Sequence, residues 1–133
     1  MFTTENLICS TRKDALAQGL QTDVDTLDPE VRSKAGILYP AFITNSVMNI
    51  INESSALGIC DFKGILWDIC YMFAYRAKRN TQNINPMKYM VYINKKRYDG
   101  SINAVPIEFY AQMGLMDTND SKTAITIMTE RDL

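Results

Sequence analysis

The feature that most constrains this chain is a change of period near its middle. From Phe62 to Arg79 the apolar residues recur at helical spacing, with Ile65, Leu66, Ile69, Met72 and Phe73 on one wide stripe. Asp61 precedes them as an N-cap. So much of this segment is apolar that a helix at the centre of the core is expected. Asn80 to Pro86 is a polar break. From Met87 the pattern turns to two-residue alternation, and strands are expected over Met87–Asn94, Ile102–Met113 and Thr123–Met128. Tyr98-Asp99-Gly100-Ser101 reads as a hairpin turn, and Pro106 marks an edge or a bulge.

The first half reads as short helices. Thr11 is positioned to cap one that stops at Gly19, and Leu20–Val24 alternates as a short strand would. Asp28 and Pro29 open a second helix that ends at Gly36. Ile37–Ile43 is a short apolar run held extended before Pro40, and Thr44 caps a third helix closed by Gly58. Helices come first and strands follow. The expected class is α+β, with about four helices on one face of a small antiparallel sheet formed by the C-terminal half. A length of 133 residues suits one domain, 1–133.

Composition removes whole classes of chemistry. There is no histidine, so Ser-His-Asp and Cys-His catalysis and His-ligated metals are excluded. The three cysteines, Cys9, Cys60 and Cys70, form no Cys-x-x-Cys pair, which argues against a disulfide framework or a structural zinc. Cys60 and Cys70 have apolar neighbours and are expected as buried thiols. Neither Gly-x-Gly-x-x-Gly nor Gly-x-x-x-x-Gly-Lys-Ser/Thr occurs. The first residues lack the basic and apolar regions of a signal peptide, and Asp68 and Arg76 interrupt the longest apolar stretch. The expectation is a non-enzymatic chain with no cofactor and no metal, in a reducing cytoplasm and away from membranes. The sequence leaves its oligomeric state open.

Three blocks resemble an uncharacterised family of small proteins from phages, plasmids and other mobile elements. The first runs from Asp14-Ala15-Leu16-Ala17-Gln18-Gly19 to Asp23-Val24, and on through Ala35-Gly36 to Tyr39-Pro40-Ala41-Phe42-Ile43-Thr44. The second is Gly64-Ile65-Leu66-Trp67-Asp68-Ile69, and the third is Ala124–Asp132. Ile65 stands where the family pattern has arginine, and Leu115–Asp120 replaces a Pro-Gly-Asp turn. The resemblance implies a mobile-element accessory protein of the bacterial cytoplasm. It brings no catalytic residue with it. A host protein is the expected partner, with blunting of a host defence as the job.

Several residue groups are candidates for function. Asp23, Asp25 and Asp28 form an acidic cluster whose plainer role is strand-flanking and helix capping. Asp68 reads as a buried carboxylate, more simply paired to a nearby cation or a helix N-terminus than catalytic. Trp67, Tyr71 and Tyr75 recur every four residues, a spacing that favours packing over base stacking. Charge is the most informative signal. Residues 61–98 carry eight basic and two acidic side chains, whereas both flanks are net acidic. Arg76, Lys78, Arg79, Lys95, Lys96 and Arg97, with Tyr98 beside them, are the candidate binding patch. Nucleic acid is the alternative partner for that basic segment, 76–97.

Overall fold

A computed structural model describes residues 11–133. Among them are five α-helices: α1 (Arg12–Ala17), α2 (Val24–Leu27), α3 (Val31–Ala35), α4 (Asn45–Ser55) and α5 (Phe62–Ala77). Five strands accompany them: β1 (Gln21–Asp23), β2 (Ala41–Thr44), β3 (Met87–Lys96), β4 (Ile102–Asp117) and β5 (Asp120–Met128). The chain ends in a 3-10 turn, Glu130–Asp132. The class is α+β.

Local chemistry sets most boundaries. The Thr11 hydroxyl accepts from the Asp14 amide at 3.0 Å, and Gly19 follows α1 at φ 73°. Gly36 ends α3 at φ 94°, a left-handed conformation that penalises a side chain. Asp61 caps α5 by accepting the Gly64 amide at 2.8 Å. At the β3–β4 turn, Gly100 takes φ 86° and the Arg97 amide donates to the Ser101 carbonyl at 2.8 Å.

The strands form one sheet in the order β1-β2-β5-β4-β3. It differs from the expected sheet in two ways. It is mixed, because β2 lies parallel to β5, with Phe42 beside Thr126. It also recruits β1 and β2 from the N-terminal half. All four β2 residues are buried, so Ile37–Ile43 supplies an inner strand where its short apolar run showed no alternation.

α5 is the central helix. Leu66, Ile69 and Cys70 have no exposed surface, and Phe73 sits edge-on to Tyr89 with ring centroids 6.1 Å apart. The Tyr89 phenol donates to the Ile69 carbonyl at 3.1 Å, fastening β3 to the middle of α5. Residues of α3, α4 and α5 join Ala41, Ile43, Ile125, Ile127, Phe109 and alternate residues of β3 in one buried cluster. Not every helix lies on that face. Phe42 points to the other side and is covered from α1, where the Arg12 guanidinium sits 4.1 Å from its ring centre. Arg12 also donates to the Met116 carbonyl, to Gln21 Oε1 and to Thr126 Oγ1. It thereby ties three strands together from beneath.

Candidate functional site

The outer surface of α5 carries the most distinctive chemistry among the described residues. Trp67, Tyr71, Tyr75 and Arg79 follow one another at intervals of four, which stacks them along one stripe of the helix. Trp67 and Tyr71 are stacked, their centroids 5.7 Å apart and planes inclined by 25°. Arg79 folds back on Tyr75, its guanidinium carbon 3.7 Å from the ring centre and its Nη1 donating to the Tyr75 carbonyl at 3.0 Å. The result is a row of aromatic side chains with two π contacts, Trp67 on Tyr71 near its start and the Arg79 cation on Tyr75 at its end. Packing, the reading favoured by the spacing, does not hold for two of the three aromatics. Tyr71 is 47% exposed and Tyr75 45%, and only Trp67 is half-buried. The apolar stripe at Leu66, Ile69 and Phe73 already fills the core side, so the aromatic stripe is left facing water.

At the Trp67 end the row opens into a shallow cleft of about 330 Å³ between α3 and the start of α5. Val31 and Trp67 form its apolar wall, and Glu30, Lys34, Asp61 and Lys63 its charged rim. Those charges are largely matched. Lys34 pairs with Glu30 one helical turn away, and Lys63 lies 3.4 Å from Asp28. The Glu30 carboxyl is held below its ordinary value, first by the hydrogen bond from Lys34. The cleft therefore has an apolar wall and no large net field.

Asp68 is exposed, not buried, and no hydrogen bond or ion pair holds it among the described residues. Partial desolvation raises its carboxyl above the ordinary range. The paired reading is therefore corrected as well. The three aspartates of the acidic cluster each have a separate task. Asp23 accepts the Asp25 amide at 2.9 Å, Asp25 pairs with Arg32 at 3.0 Å, and Asp28 accepts the Glu30 and Val31 amides. Among the described residues no three His, Cys, Asp or Glu side chains gather as a metal-ligand set.

The basic segment is divided. Arg76, Lys78 and Arg79 lie at the C-terminal end of α5. Lys95, Lys96, Arg97 and the fully exposed Tyr98 lie at the far end of β3. The Asn94 side chain reaches Cys60, just before α5 begins, at 3.7 Å. A helix of 16 residues spans about 24 Å, so a helix length separates the two groups. The cause is the reversal between α5 and β3. It brings residue 94 beside residue 60 and carries the hairpin tip away from the helix end.

The cysteines also divide. Cys70 is buried, and burial pushes its thiol up to about 12, whereas Cys60 is exposed. Cys9 lies outside the described residues. Sequence reasoning missed Arg12 and Asp132. Asp132 Oδ2 accepts from Thr44 Oγ1 at 2.7 Å, from Ser46 Oγ at 2.5 Å and from the Thr129 amide at 2.9 Å. The one local signal was the capping-box spacing of Thr129 and Asp132, and it does not reveal the contacts of Asp132 with Thr44 and Ser46 or of Arg12 with Met116 and Thr126, which lie more than 80 residues away in sequence.

No family model, curated protein or solved structure matches the chain. No helix among the described residues is long and apolar enough to cross a membrane.

Proposed function

We propose that this chain is a non-enzymatic binding module that docks a partner protein on the outer face of α5. The observation that carries this reading is the row of exposed Tyr71, Tyr75 and Arg79 that continues from the half-buried Trp67. Tryptophan, tyrosine and arginine dominate the energetic centres of protein interfaces, where rigid aromatic faces give area at small entropic cost. In this chain they recur every four residues along one side of α5, as the pairs Trp67–Tyr71 and Tyr75–Arg79, beside a cleft whose apolar wall could seat an anchoring side chain. The context is a phage or plasmid accessory protein acting on a host factor, as an inhibitor of host defence. It rests on the resemblance of the three sequence blocks alone.

The test compares what the parent chain and a Tyr71→Ser, Tyr75→Ser double variant retain from a bacterial lysate. A Lys95→Gln, Lys96→Gln, Arg97→Gln triple variant is run beside them, with and without nuclease. The reading expects a protein retained by the parent and the triple variant, insensitive to nuclease, and lost by the double variant. Loss on nuclease treatment, with a steep fall in added salt, would assign nucleic acid to the basic tip instead. Retention unchanged in the double variant would refute the row as the docking surface.

A further inference from the structure

The two long edges of the sheet are treated differently by the sequence. β3 and β4 pair without interruption from Met87–Ala111 to Lys96–Ile102. Pro106 pairs with Tyr92 and has no N–H, so that pair is not mutually hydrogen-bonded. The alternation then assigns the bonds to β4 to odd-numbered β3 residues. The Arg97–Ser101 bond and the Asn85 side chain, which bonds both backbone groups of Met113, fall in the same phase. The N–H and C=O groups of Lys88, Met90, Tyr92, Asn94 and Lys96 therefore face away from β4. No backbone bond among the described residues uses them.

The other exposed stretch of edge is on β4, where β5 pairs only with residues from Tyr110 onward. Pro106 lies in that stretch and blunts it. β1, at the opposite edge of the sheet, is three residues long. The outer edge of β3 has neither protection. It runs for ten residues without proline or bulge, and Met90 and Tyr92 on its open face are 48% and 65% exposed. Its lysines are confined to Lys88 and the tip, so its middle stays open, and an edge of this length is a template for another strand.

We propose that the occupant is a second copy of this chain, with β3 pairing antiparallel to β3 about a two-fold axis at Val91. Parity restricts the register, because outward-facing residues must meet outward-facing residues. Centred on Val91, Met90 of one copy faces Tyr92 of the other, a sulfur–aromatic contact repeated by symmetry. Lys88 faces Asn94, and no like charges meet. Sliding by two residues in one direction sets Lys88 against Lys96. Sliding the other way sets Met90 against its own copy and Tyr92 against Lys88, which gives up the sulfur–aromatic pair. Antiparallel pairing also sends the two Lys95-Lys96-Arg97 tips to opposite ends, so the strongest positive charge on β3 does not oppose association. The product is one continuous sheet of ten strands.

The test combines solution mass with amide exchange resolved by residue, at protein concentrations up to about 1 mM. The expected result is a dimer in which the Lys88, Met90, Tyr92 and Asn94 amides are protected, and exchange freely on dilution. A Met90→Lys, Tyr92→Lys double variant sets four lysines around the axis and should be monomeric, with protection of the odd-numbered amides retained. Should that variant not fold, Tyr92→Pro removes one outward amide and is expected to weaken the dimer at least tenfold. Three results would overturn the proposal. One is a mass of one chain at every concentration. Another is a dimer whose even-numbered amides exchange as fast as in the monomer. The third is protection that persists on dilution, which would mean that the chain's own residues cover the edge.

Discussion

Replacing Asp132 by alanine should remove a large fraction of this protein's stability, although the residue is only half-buried in the final turn. One carboxylate oxygen, Oδ2, accepts from Thr44 Oγ1, Ser46 Oγ and the Thr129 amide. It sits at the start of α4, where the helix dipole favours a negative charge. Thr44 and Thr129 are 9% and 6% exposed, so water does not readily replace the lost acceptor. A hydrogen bond to a charged group contributes about 1.5–3 kcal/mol net. The three do not add, because they share one atom. The Thr44 and Thr129 hydroxyls also lie 3.1 Å from Ser46 Oγ and regain part of the loss by re-pairing with it. The expected cost of Asp132→Ala is therefore about 3 kcal/mol, and Asp132→Asn should cost about half as much by keeping an acceptor without the charge. Urea unfolding measures this as a lower midpoint at unchanged slope. Glu53→Ala, an exposed change on the same helix, is the control and should stay within about 0.5 kcal/mol. An Asp132→Ala midpoint equal to that control would refute the clamp.

Phe73→Ala should cost about 3–5 kcal/mol, because the ring is 5% exposed and packs on Tyr89; a superimposable melt would displace α5 from the core. Under native conditions at mildly alkaline pH, a thiol alkylator should label Cys60 and spare Cys70, whose thiol is buried and pushed up to about 12; equal labelling on mapped peptides would contradict its placement. Burial holds the Tyr89 phenol well above its ordinary value of 10.0, so its stabilising effect is complete below that pH and is lost as pH rises above it. Alkaline unfolding of the parent should therefore be steeper than that of Tyr89→Phe, and identical pH profiles would refute the assignment.

What was legible in the sequence was what neighbours in sequence decide. Asp61 before an apolar helical stripe, Asp-Gly in a hairpin and Gly36 after a helix are local signals, and each is realised within a residue or two. α5 nevertheless ends at Ala77 instead of Arg79, and β4 and β5 run longer than their alternation suggested. What was not legible was decided across the chain. Ala41–Thr44 becomes an inner strand only because β5, more than 80 residues later, runs parallel beside it. The exposure of Tyr71 and Tyr75 depends on which face of α5 the sheet occupies, and spacing alone does not choose the face. The basic residues looked contiguous along the chain, yet the turn from helix to strand sends them to opposite ends. Cys60 has apolar neighbours in sequence but sits in the exposed connection before α5.

Hydroxyl-radical footprinting of the chain bound to its captured protein partner tests the central claim most directly, since tyrosine and tryptophan side chains report their own solvent contact. Docking on the outer face of α5 predicts that oxidation of Trp67, Tyr71 and Tyr75 falls several-fold on binding while Tyr98 at the hairpin tip stays fully reactive. Undiminished oxidation of Tyr71 and Tyr75 together with protection of Tyr98 would contradict it and move the interface to the β3–β4 hairpin tip.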